Sequence, residues 1–131
     1  MPLRSHIDHD RRVVFVYAEG LLTDTEMLNY QRNVWSAPAV TGYDELIDMT
    51  TVTDVEPYSP DGIKQLATGA ARTDSQTLSQ RLAIVAPHDL AFGLARMYQA
   101  YREASPAATK QVVVFRDRAA ALQWLGLDES D

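Results

Sequence analysis

Residues 81–86, Arg-Leu-Ala-Ile-Val-Ala, carry no polar side chain after the first. That run restricts the fold more than any other feature of the chain. A strand with one wet face alternates apolar and polar side chains, whereas a strand that does not alternate needs cover on both faces. Such cover comes from helices, and helices interleaved with strands imply crossovers and parallel pairing.

The chain supplies those helices in the right places. Thr23-Asp24-Thr25-Glu26 has capping-box spacing, and Met27, Tyr30, Val34 and Trp35 follow at helical intervals, which predicts a first helix to about Ser36. Ser59-Pro60-Asp61 combines an N-cap serine, a proline in the first turn and a dipole-matched acid. Ile63, Leu66, Ala67, Ala70 and Ala71 then complete an i, i+3, i+4, i+7, i+8 stripe. Asp89 opens a third helix to about Ala104, and Asp117 caps a short fourth one closed by Gly126. The strands are Leu3–His9 and Arg12–Ala18, joined by a tight polar turn, then Glu45–Met49, Arg81–Ala86 and Gln111–Phe115. Glu19-Gly20 is expected to end the second strand, and Thr50–Tyr58 to be a polar connection anchored by Val52 and Val55. The expected fold class is α/β, in the order β-β-α-β-α-β-α-β-α. Its five-stranded sheet is mainly parallel, with an antiparallel N-terminal edge hairpin. No repeat or linker divides residues 1–131, so one domain is expected, with an acidic tail from about residue 127.

Much chemistry is missing from this sequence. It contains no cysteine, hence neither thiolate ligands nor thiol nucleophiles, and a cytoplasmic setting is expected. The six glycines form neither a dinucleotide fingerprint nor a phosphate loop, and no serine sits in a nucleophile elbow. The longest wholly apolar stretch, Val13–Ala18, is too short to span a bilayer, so no membrane insertion is expected. Residues 1–62 hold 11 acids and 4 bases, a net of −7, while residues 63–131 hold 7 acids and 8 bases, a net of +1. An acidic half without a compensating basic stripe argues against nucleic acid.

The residues that remain for function are few. His6 and His9 lie three apart on an extended segment, a poor spacing for joint ligation. Asp44, Glu45, Asp48, Asp54 and Glu56 lack the spacing of a hard-cation loop and read as a solvated acidic face. Neither a metal site, a cofactor nor a catalytic group is expected. His88 and Asp89 stand where a strand gives way to a helix, the end of an α/β sheet at which ligands bind. Beyond them the third helix carries Leu90, Leu94, Met97 and Tyr101 as one stripe, with Phe92 and Tyr98 widening it. One stripe suffices for packing on a sheet, so the surplus predicts a contact surface made of His88, Asp89, Phe92, Met97, Tyr98 and Tyr101. Its occupant is expected to be a second copy in a homodimer, another protein or a small apolar ligand.

The segments Leu46-Ile47-Asp48-Met49-Thr50-Thr51-Val52-Thr53-Asp54-Val55, Arg81–Pro87 with Asp89–Met97, and Val114-Phe115-Arg116-Asp117 with Ala120–Leu125 resemble, in order, the STAS-like family of small bacterial proteins related to anti-sigma-factor antagonists. Ala-Pro-x-Asp-Leu-Ala-Phe-Gly at residues 86–93 is the most specific part. The resemblance implies a right-handed β/α superhelix and a non-catalytic binding or regulatory role, with a regulator or kinase as partner. In the antagonists a Ser or Thr at the start of the second helix, within an Asp-Ser-Ser-Gly-type motif, is phosphorylated. The resemblance therefore makes Ser59 the candidate phosphoacceptor, although the local sequence is Glu56-Pro57-Tyr58-Ser59-Pro60-Asp61-Gly62. If Ser59 acts as a helix cap, Ser59→Ala should cost about 1 kcal/mol in denaturant unfolding and Ser59→Asp should be tolerated, since aspartate both caps and complements the helix dipole.

Overall fold

β-Branched and aromatic side chains at Val13, Val14, Phe15 and Val16 are all buried, the pattern of a strand covered on both sides. This strand, β2 (Val13–Thr23), is met antiparallel by β1 (Leu3–Asp8) and parallel by β3 (Asp44–Glu56). The computed structural model describes residues 3–35, 37–56, 60–71, 80–105 and 109–127. Parallel strands β4 (Arg81–Val85) and β5 (Gln111–Phe115) complete a sheet whose order is β1-β2-β3-β4-β5. Sheet order thus equals chain order. Crossovers of one hand then place successive helices on one face: α1 (Asp24–Tyr30), α2 (Pro60–Ala71) and α3 (Asp89–Ala104) share it, and α4 (Arg118–Trp124) covers the other.

Two cores result. Val14, Val16, Ile47, Leu82, Ile84 and Val112 point to the three helices, while Val13, Phe15, Leu46, Ala83 and Val85 point to α4. Gly126, at φ +76°, stops α4 with a backbone shape that L side chains avoid. The Thr23 hydroxyl accepts the Glu26 amide at 3.3 Å, as the capping spacing requires.

Two boundaries differ from expectation. β2 continues past Gly20 to Thr23, and β3 continues past Met49 to Glu56. The paired extensions contain two register shifts, between Tyr17 and Glu19 and between Gly20 and Leu21. Each shift breaks the two-residue alternation from which a strand is recognised. The first helix also changes pitch: Gln31–Trp35 forms a wider π turn after α1.

Of the acidic stretch around β3, Asp44, Glu45 and Asp48 are not part of a solvated face, whereas Glu56 is exposed. Asp44 pairs with Arg81 at 2.9 Å, Asp48 with Arg118 at 2.8 Å, and Glu45 with Lys110 at 2.8 Å. Alternation sends Asp44 and Asp48 to the α4 side and Glu45 to the three-helix side. The last pair is buried, with 2% exposure at the Lys110 side chain and 5% at Glu45. Tyr30 donates its hydroxyl proton to Glu45 Oε2, and the Lys110 ammonium lies 3.4 Å from the Trp35 ring centroid. A buried pair contributes little net stability when intact, but losing one partner leaves a charge in low dielectric. Lys110→Met should therefore cost about 3–5 kcal/mol in urea unfolding, and adding Glu45→Leu should recover most of that loss.

Candidate functional site

At the C-terminal end of the sheet, Pro87 interrupts the run after β4 and His88 becomes the N-cap of α3. The His88 side chain makes no capping bond; its Nε2 instead lies 3.1 Å from the carbonyl oxygen of Thr50 on β3. Asp89 accepts from Arg116 Nη1 at 2.7 Å, and the same nitrogen donates to the Pro87 carbonyl at 3.1 Å. The Arg116 guanidinium also lies 3.9 Å from the Phe92 ring centroid. One arginine therefore ties the turn after β4 to the first turn of α3. Its sequence signal was weak, because an arginine after a buried strand looks like any surface cation.

The contact surface expected on α3 forms only in part. His88, Asp89 and, through Arg116, Phe92 come together. Phe92 and Tyr98, however, are partly buried against the three-helix core, and Met97 and Tyr101 are also half-covered. The reason is geometric: α3 lies on the sheet and also alongside α2, so two neighbours absorb a wider apolar arc than one stripe. Ser59 lies outside the described residues.

The large apolar side chains left exposed are two others, one of them also on α3. Among the described residues, Leu21 and Leu90 are the large hydrophobics left exposed, at 43% and 42%. Leu21 pairs in register with Asp54, and Asp54 shares an open groove of about 290 Å³ with Thr53, His88, Leu90 and Ala91. Both leucines therefore stand at the same end of the sheet.

Two cavities lie under the helices. One, of about 70 Å³, lies half-open between α1, α2, α3 and the sheet, lined by apolar side chains that include Met27, Met49, Leu66 and Tyr98. Its neighbour, of about 20 Å³, shares Met27, Ile47 and Tyr98 with it and is lined by the Tyr30–Glu45–Lys110 cluster and buried Arg102. Sequence reasoning missed this cluster, because Glu45 and Lys110 are 65 positions apart and neither stands in a local motif. Among the described residues, no three of His, Asp and Glu gather as metal ligands. Among these residues, no helix is long and apolar enough to cross a membrane.

Among solved structures, the chain is similar to an uncharacterised DUF3478-family protein with a SpoIIAA-like fold from Shewanella loihica PV-4. The TM-score is 0.57 and the identity 20%, over 94% of this chain and 91% of that one. No family model matches the chain, and no curated protein does. The fold is thus SpoIIAA-like, the architecture that the resemblance to STAS domains implied.

Burial, and next the Glu45 carboxylate, hold the Tyr30 hydroxyl well above the usual tyrosine value of 10. The folded chain keeps this proton at a pH where the unfolded chain begins to release it. The stabilisation is thus fully present below about pH 10 and is lost as the pH climbs beyond it. Urea unfolding of wild type and Tyr30→Phe between about pH 8 and 11 should show the stability gap between them closing above about pH 10.

Proposed function

We propose that this chain is a non-catalytic binding module that docks a protein partner at the C-terminal end of its sheet. The observation that supports the reading is an open groove of about 290 Å³ lined by exposed Leu90, with exposed Leu21 one strand away, in register with the groove's Asp54. Scattered surface leucines are ordinary, whereas one that lines a concavity offers a partner an apolar anchor. The polar groups nearby are bound to one another: Asp89 to Arg116, Asp48 to Arg118 and His88 to the Thr50 backbone. Such an arrangement supports a role in fixing the shape of this end of the sheet.

A second reading, a small apolar ligand, rests on the cavity under α3. At about 70 Å³ it is well below the roughly 300–1,000 Å³ of ordinary ligand sites, so helix movement would have to enlarge it. The groove needs no such movement, and protein docking comes first.

The test is quantitative affinity purification of the tagged chain from its own cells, beside the double variant Leu21→Asp, Leu90→Asp. Both positions are exposed, so the thermal midpoint should hardly move. The expected result is loss of a co-purifying protein by at least about tenfold, the effect of roughly 1.4 kcal/mol at a contact surface. Equal recovery on both forms would refute docking at this end.

A further inference from the structure

Glu26 stands at the third position of α1, where a capping box would turn its carboxylate back to the Thr23 amide. Thr23 makes its half of the box, but Glu26 Oε2 is shut off from water and has no hydrogen-bond partner among the described residues. A buried acceptor in that state calls for a donor from elsewhere. Glu26 also lines an open groove of about 260 Å³ at the β1 edge of the sheet. Leu3, Tyr30 and Val34 give this groove a largely apolar surface, which suits an organic body, whereas a hard metal ion needs oxygen ligands all round. Asn29 and Asn33, both exposed, supply hydrogen-bonding amides on the helix wall. Arg4 is the cation in the lining, but its Nε lies 3.5 Å from the Glu19 carboxylate, so its charge is answered.

We propose that this groove binds a small organic cation, a primary ammonium on an apolar body, with the ammonium against Glu26 and the body on Leu3, Tyr30 and Val34. The terminal torsion of a glutamate side chain is broad, so a turn of the carboxylate presents an oxygen to the groove. The Asn29 and Asn33 carbonyl oxygens can accept the remaining ammonium protons. The surrounding field has the matching sign, since residues 1–62 hold 11 acids and 4 bases, a net of −7. Arg4 and His6 stand exposed along β1 and blunt its edge against strand pairing, which leaves the groove to a small molecule. Neither Leu21, His88 nor Leu90 lines it, so the site is separate from the docking end and neither reading depends on the other.

The experiment uses the full ¹⁵N-labelled chain, with phenethylammonium, phenylpropionate and calcium chloride as separate probes. Phenethylammonium should bind weakly, with Kd on the order of 1 mM. Its shifts should centre on Leu3–Ser5, Glu26 and the side-chain amides of Asn29 and Asn33. Phenylpropionate keeps the ring and reverses the charge, and should bind at least about tenfold more weakly. Glu26→Gln keeps the shape of the side chain and removes its charge. It should leave the thermal midpoint nearly unchanged and weaken phenethylammonium by at least about tenfold. If Glu26→Gln binds as tightly as wild type, or phenylpropionate as tightly as phenethylammonium, the carboxylate does not select the ligand and the proposal falls. Calcium alone reproducing the same shifts would make this a metal site instead. Shifts centred elsewhere, or none, would leave Glu26 to water alone. Each of these results overturns the cation site, and none bears on docking at Leu90.

Discussion

The salt bridge between Glu45 and Lys110 sets the condition that the helix-covered side of the sheet must meet. It joins the start of β3 to the residue just before β5, across the position of β4. Because both groups are buried, each is tolerable only while the other is in place. Tyr30 from α1 and Trp35 from the π turn close around the pair, so the first crossover connection is fixed by the same charges that position the strands. The wider turn at Gln31–Trp35 accompanies this arrangement, carrying Trp35 to within reach of the ammonium.

The other face is organised by part-buried counterparts of the same idea. Arg81 holds Asp44 and also donates to the carbonyls of Trp124 and Leu125, tying the end of α4 to β3 and β4. Arg118 holds Asp48 and reaches the Tyr17 hydroxyl at 3.3 Å. These partly wet pairs add modest stability and mainly select geometry. Part of the uneven charge of the two halves matches this pattern: Asp44, Glu45 and Asp48 of β3 find their cations in β4, before β5 and in α4, all from the second half.

Much of the fold was legible in the sequence because strands such as Arg81–Val85 and Gln111–Phe115 are short, regular and bounded by helix starts. The second half of β3 was not. Thr50 and Thr51 are exposed in succession, and Val52 and Val55 are buried three apart, a spacing that reads as a loop with anchors. The C-terminal end of the sheet was legible at His88 and Asp89, where a strand hands over to a helix. Leu21 was illegible, since its exposure depends on a ribbon that no periodicity announced. Phe92 and Tyr98 misled for a different reason: sequence shows how wide an apolar arc is, but not how many neighbours the helix will have.

A sheet whose spatial order repeats its chain order could assemble vectorially, each strand joining the one made just before it. The distance between Glu45 and Lys110 opposes that. The acid enters with the third strand, but its cation arrives 65 residues later. A nascent intermediate that has formed β1 to β4 therefore carries an uncompensated carboxylate facing its growing core, and water must be retained there until β5 docks. Topology favours stepwise growth, while electrostatics withholds the reward for it until the last strand is in place. The chain is thereby driven toward a single cooperative folding transition.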